Sequence, residues 1–190
     1  MQQRSWATRF ALGVVLWLVP VAILWLLVTP VYNLFLTTAT ENLVRLSEDP
    51  TVTRLAPDGT HRFAISRTDW PPARGPIGSV RVTDTHFPLL MLGAFFLAVP
   101  GVSWRKRLES LGWAILISIF FHIVSLFLWV KFIYATQHGA WSAAQYDALW
   151  RNVWGLSKHL ADLPFKFGLP VLLWAIFFLR DLLDARRDAA

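Results

Sequence analysis

The sequence predicts an α-helical integral membrane protein with four transmembrane helices, a small extracytoplasmic α+β cap containing a β-hairpin, and an interfacial amphipathic helix. Three observations carry this expectation. From Leu111 to Val130, LGWAILISIFFHIVSLFLWV, the chain is apolar or small except at Ser118, His122 and Ser125. At about 1.5 Å per residue, a run of roughly 20 residues crosses the hydrocarbon core of a bilayer. The composition is 55% hydrophobic and 16% charged, with the apolar residues gathered in long runs instead of at soluble-core spacing. Many of the 11 tryptophans, including Trp6, Trp104, Trp113, Trp129 and Trp141, stand near the ends of those runs, where an aromatic belt meets lipid headgroups.

Residues 1–30 read as a short N-terminus and a first span from Phe10 to Thr29. That run is too long for a signal-peptide core and no small-x-small cleavage site follows it, so it is expected to stay uncleaved. Pro20 should kink it, and Pro30 should mark its outer end. Residues 31–86 read as the α+β cap. Val31, Leu34, Phe35, Leu43 and Leu46 fall near helical spacing up to Ser47. Thr51–Leu55 and His61–Arg67 then flank Ala-Pro-Asp-Gly-Thr, a hairpin signal. The loop 70–78 is rich in proline, and Ser79–Thr83 alternates as a third strand. A cap of this size is marginal alone and should rest on the membrane or on a partner.

A second span is expected at 87–102, with Pro88 in its first turn and Pro100-Gly101 ending it. The loop 103–109 holds the basic cluster Arg105, Lys106 and Arg107, and the third span covers 110–134. In 135–162, Ser142 with Gln145 fits a capping box and Trp141 with Tyr146 a hydrophobic staple. The helix so started turns Leu149, Trp150, Val153, Trp154 and Leu156 to one side, as a helix lying flat on the bilayer or packed under the cap. The fourth span is 163–180, with Pro164, Gly168 and Pro170 near its start and Lys166 placed to snorkel; 181–190 is a charged helical tail.

Orientation follows from charge. With both termini and the 103–109 loop on one side, that side gathers Arg4, Arg9, Arg105, Lys106, Arg107, Arg180, Arg186 and Arg187 in short segments. The positive-inside rule then makes the termini cytoplasmic and the protein a multi-pass component of the cell inner membrane, with the cap outside, which in a bacterium is the periplasm.

Two groups of residues are candidates for chemistry. Ser118, His122 and Ser125 stand at i, i+4 and i+7 and share one helix face, which must point into a bundle or a wet cavity because lipid offers no hydrogen-bond partner. Such a face serves a proton or ligand site, or else holds a neutral histidine that ties two helices together. The second reading is preferred, since no acidic residue sits in any predicted span. Asp84 and His86 could meet His138 or His159 at the membrane surface, although isolated surface residues are the simpler expectation.

No two of the five histidines stand within four residues of each other, so no local metal pair exists and no metal or cofactor is expected. Without cysteine there is no thiolate nucleophile and no disulfide chemistry. Phosphate-binding glycine loops, HExxH and GxSxG are absent, and no catalytic residue is assigned. The net charge of +6 lacks the compact, aromatic-interleaved basic patch of a nucleic-acid binder, so it is assigned to topology and lipid contact, as are Arg151 and Lys158.

Three stretches resemble a known family: Arg9-Phe-Ala-Leu through Pro20, Trp25 and Pro30; Thr83-Asp-Thr-His-Phe-Pro-Leu-Leu; and Phe165-Lys-Phe-Gly-Leu-Pro-Val-Leu-Leu-Trp. The layout is similar to small integral membrane proteins that accompany exosortases, most closely the exosortase H-associated membrane proteins. The resemblance implies a role beside a membrane transpeptidase that sorts proteins by a C-terminal tail. A sortase activity in this chain is excluded, because the exosortase pattern needs a cysteine nucleophile. The expected function is therefore a non-enzymatic accessory protein of the envelope, in contact with the bilayer and with a membrane-protein partner, an exosortase under the resemblance. The competing expectation is an intramembrane catalyst or transporter that uses Ser118, His122 and Ser125. Four spans without an internal repeat argue against a transporter.

Overall fold

The structure is a computed structural model that describes residues 6–70 and 75–187. Arg4, Arg74 and the last residues of the charged tail, 188–190, lie outside the described residues, as do the side chains of Arg186 and Arg187. In chain order the elements are α1 (Trp6–Leu46), β1 (Thr53–Asp58), β2 (Arg62–Arg67), β3 (Gly78–Arg81), α2 (Val82–His86), α3 (Leu89–Ala98), α4 (Trp104–Thr136), α5 (Ala140–Gln145), α6 (Ala148–Leu160), a π-helical turn (Ala161–Phe165) and α7 (Lys166–Arg187). They fall into two compact units. One comprises residues 1–27, 88–119 and 166–190, and the other residues 28–87 and 120–165.

The first unit is helical. Its core is Leu92, Phe96 and Val99 around α3, with Ala114 of α4 and Leu173 and Phe178 of α7. Phe96 meets Phe178 edge-on at 5.1 Å between ring centres. Small residues let α1 approach α3. A Cβ on Gly93 would stand 2.9 Å from Val21 Cγ1, and one on Gly13 would stand 3.1 Å from Ala98 Cβ. Backbones come this close only where a side chain is missing, the usual device of helix packing in membranes. α3 is apolar all round because it is buried nearly all round. Its C-terminal end is closed by Arg107, which donates to the carbonyl of Leu97 (2.7 Å), one that helix geometry would otherwise leave unpaired, and to that of Val102 (3.0 Å) in the following loop.

The second unit is built on an antiparallel sheet in the order β1-β2-β3. Asp58 pairs with Arg62 across a three-residue loop whose Gly59 takes φ 68°, a conformation that favours glycine. Pro57 is tolerated within β1 because that strand is an edge. Leu55, Phe63, Ile65 and Val80 alternate onto one face and pack with Leu36 and Val44 of α1 and Leu126, Val130, Ile133 and Tyr134 of α4.

Several expectations change. The first span and the amphipathic helix read after Pro30 are one continuous helix, α1, that runs to Leu46. Proline loses its N–H bond and its ring crowds the carbonyl four residues earlier, but the turns C-terminal to it stay intact. The expected second span, 87–102, contains one regular helix of 10 residues, α3, about 15 Å long and half the thickness of a hydrocarbon core. The helix expected to start at Ser142 is instead two helices. Ser142 lies inside α5, where its hydroxyl donates to the carbonyl of Tyr134 (2.7 Å) and accepts from His138 N–H (3.0 Å). α6 starts five residues later, capped by Asp147, whose carboxylate accepts from Trp150 N–H at 2.8 Å.

Candidate functional site

The densest buried polar constellation lies in the second unit, where α1, α2 and α4 each contribute an aromatic or imidazole ring. α1 carries a polar row at Thr29, Asn33, Thr37 and Thr40, all nearly inaccessible. This row repeats the i, i+4 spacing that marks Ser118 and His122, and it orients one helix face inward.

Asn33 is the hub. Its side-chain amide donates to the Thr60 carbonyl (2.7 Å) and to Thr83 Oγ1 (3.1 Å). A carbonyl can only accept, which fixes the amide orientation and turns Asn33 Oδ1 towards His86 Nε2, 2.7 Å away. His86 therefore donates from Nε2. Burial, with a smaller push from His61, lowers its pKa to about 4. Thr83, having accepted from Asn33, can pass its own proton to His61 Nδ1 at 3.0 Å.

Tyr32 lies edge-on to His86, with 5.0 Å between ring centres, and its hydroxyl bonds His122 Nδ1 at 2.8 Å. The two imidazoles are 6.3 Å apart between centres. Three chain segments far apart in sequence are thus joined through hydroxyl, amide and imidazole groups, with no carboxylate in these hydrogen bonds. That chemistry suits holding segments in register. Among the described residues, no group of three His, Cys, Asp or Glu side chains is arranged to hold a metal ion.

A second, charged cluster surrounds Arg67 in the same unit. Its guanidinium grips Asp69 with two bonds (2.9 and 2.8 Å) and reaches Glu48 at 3.2 Å. The bond from Arg67 holds the Asp69 carboxyl below the usual carboxylate range. Glu48 also accepts from the backbone of Val52 and Thr53 and from Thr53 Oγ1 (2.6 Å). Thr53 Oγ1 in turn accepts from the Tyr134 hydroxyl at 2.7 Å. Arg67 lies over the rings of Tyr134 (4.9 Å) and Trp141 (5.3 Å). Lys131, 7% exposed, makes no ion pair or hydrogen bond among the described residues.

The residues singled out from sequence distribute as follows. His122 bonds Tyr32, Ser118 bonds back to the carbonyl of Ala114 (2.8 Å), and Ser125 Oγ is buried with no hydrogen-bond partner among the described residues. His86 is in the Asn33 network. Asp84 is exposed beside Arg81 (3.8 Å), His138 packs on Trp70 and Trp141, and His159 on Phe132, so each has its own neighbours. Burial lowers the His138 pKa. Trp141 and Tyr146 pack on the core of the sheet, whereas Trp150 stacks on Trp154 along α6. Trp154 also meets Phe127, and Leu149, Trp150 and Leu156 remain exposed. Of the basic cluster, Arg107 bonds carbonyls, Lys106 pairs with Asp181 (2.7 Å), and Arg105 has no ion pair among the described residues.

Trp6–Leu46, Trp104–Thr136 and Ala148–Asp181 are long and apolar enough to cross a membrane. Together with the small antiparallel sheet, they put the chain in the class of helical membrane proteins that carry a compact sheet-bearing unit. No family model, curated protein or solved structure matches it.

Proposed function

We propose that this chain is a non-enzymatic accessory protein of the inner membrane that supports a membrane-protein partner. Under the resemblance noted above, the partner is an exosortase-type transpeptidase. In this reading the chain makes four crossings, with α3 in the short one, 87–102. Both termini are cytoplasmic, the sheet-bearing unit is periplasmic, and α6 meets the membrane surface or the partner. One observation carries the reading: the imidazoles that a catalyst would use are engaged in hydrogen bonds that tie chain segments together, His86 with Asn33 and His122 with Tyr32. The exposed row Leu149, Trp150 and Leu156 offers a contact surface instead.

The test is co-purification from mild detergent, with the associated membrane proteins identified by mass spectrometry. A transpeptidase should be recovered with the native chain and with His122→Leu, and lost with Trp150→Ser combined with Leu156→Ser. If His122→Leu kept its fold and its partner but abolished sorting or transport, the polar face Ser118, His122 and Ser125 would be the working part and the catalytic alternative would stand.

A further inference from the structure

The first unit contains a cleft of about 500 Å³ at the start of α4. Its lining has three chemistries. Arg105 brings a guanidinium with no ion pair among the described residues. Ser110, only 5% exposed, brings a hydroxyl with no hydrogen-bond partner among them. A serine inside a helix ordinarily bonds back to the carbonyl four residues earlier, as Ser118 does to Ala114 at 2.8 Å. Ser110 does not, so a nearly buried donor is left for whatever enters the cleft. Trp113, 57% exposed, and Phe177 form the apolar part of the lining.

Two further charges complete the site. Lys106 is held by Asp181 at 2.7 Å, so its charge is largely compensated. Glu109 lines the cleft one helical turn after Arg105 and has no ion pair among the described residues. A bare phosphate would meet Glu109 unfavourably. A phosphodiester that carries hydroxyls next to the phosphate would bond Arg105 and Ser110 through the phosphate and donate a hydroxyl to Glu109.

We propose that this cleft binds the headgroup of an anionic glycerophospholipid of the phosphatidylglycerol type. Its phosphate lies on Arg105 and Ser110, its glycerol hydroxyls lie on Glu109, and the start of an acyl chain lies on Trp113 and Phe177. The site gives the basic loop a ligand as well as a topological role, and it is independent of the function proposed above.

The test uses the full chain purified in a neutral detergent, with lipid binding read by native mass spectrometry and by the shift in melting temperature. Phosphatidylglycerol should bind and raise the melting temperature. Phosphatidylcholine, which has the phosphate but no donor beside it, should do neither at the same mole fraction. Arg105→Gln should weaken phosphatidylglycerol binding roughly tenfold, the loss of one charge-assisted hydrogen bond. Ser110→Ala should weaken it several-fold, and Glu109→Gln should narrow the preference for phosphatidylglycerol over phosphatidylcholine. Arg54→Gln, an exposed position on β1 in the other unit, serves as the control and should change nothing. Equal binding of the two lipids, or equal loss in Arg105→Gln and Arg54→Gln, would overturn the proposal as a general charge effect. Inorganic phosphate displacing the lipid at millimolar concentration would overturn the lipid assignment in favour of a soluble phosphoester.

Discussion

The two units of this chain solve the same problem with opposite chemistry. Among the described residues, all the buried polar ones but Ser110 and Ser118 belong to the sheet-bearing unit. The helical unit is held by shape: aromatic edges around Phe96, and glycines where α1 nears α3. The sheet-bearing unit adds hydrogen-bonded hubs at Asn33 and Arg67 to its apolar core. Helices in lipid gain little by burying more hydrocarbon, so close packing must hold them. A unit of mixed strands and short helices can afford fewer mistakes in register, and buried bonds with specific partners penalise each wrong one. The helical unit should therefore fail through steric change and the sheet-bearing unit through loss of a single polar atom.

The largest expected effect follows from the hub. Asn33→Leu removes two donors and one acceptor and leaves the Thr60 carbonyl and His86 Nε2–H without them. An unsatisfied buried group costs about 1–3 kcal/mol, so a loss of about 3 kcal/mol is expected in denaturant unfolding followed by far-UV circular dichroism in detergent. A loss below about 1 kcal/mol would mean the network is incidental. The same hub predicts acid sensitivity. His86 titrates at about 4 in the folded chain, against about 6.5 when unfolded. The unfolded state takes the proton first, so this stabilisation is intact above pH 6.5 and drains away as pH falls towards 4. His86→Gln should flatten that part of the stability profile.

Next comes the steric side of the comparison. In Gly93→Ala the new methyl stands 2.9 Å from Cγ1 and 3.3 Å from Cγ2 of Val21. Valine is stiff at χ1 and cannot fold its end away, so the helices must part. Overpacking of this kind costs about 1–3 kcal/mol, and the lower half of that range is expected because a single methyl is added. Val21→Ala in the same chain should restore most of the lost melting temperature. Failure of the rescue would show that the glycine matters for its backbone and not for its missing side chain.

What sequence could and could not reveal divides along the same line. Periodicity found the three strands because Leu55, Phe63, Ile65 and Val80 alternate onto one apolar face, a purely local signal, but it read Ala56, Pro57 and Asp58 of β1 as loop and Val82 and Thr83 of α2 as strand. The long apolar helices were equally legible. The break between α5 and α6 was written in Asp147, a cap residue directly before an apolar stretch, but Ser142 and Gln145 imitated a capping box and drew the boundary five residues early. His122 was visible as a polar residue in an apolar run, and its partner was not. Tyr32 is 90 residues away, and Asn33 is 53 residues from His86. Only the row Thr29, Asn33, Thr37 and Thr40 hinted that α1 turns a polar face inward, the same spacing already noted around His122. The Arg67 cluster left no such trace, because Glu48, Thr53 and Tyr134 lie on three different elements or loops.

The smallest effect is expected at one bond within the sheet-bearing unit, between Tyr32 and His122. Tyr32→Phe keeps the ring that stands 5.0 Å from His86 and removes only the hydroxyl. His122→Leu removes the imidazole and supplies a side chain that an apolar surrounding welcomes. Each single change leaves the other partner without this bond, and the double change removes both ends. A double-mutant cycle should therefore show the pair to be less costly together than the two singles summed, with a coupling of about 1 kcal/mol, the size measured for hydrogen bonds between helices in membranes. A coupling near zero would mean that His122 is satisfied equally well by another group. A coupling above about 2 kcal/mol would exceed what such a neutral bond delivers. It would put His122 with Asn33 among the hubs, and the contrast between one polar centre and a merely supporting bond would have to be redrawn.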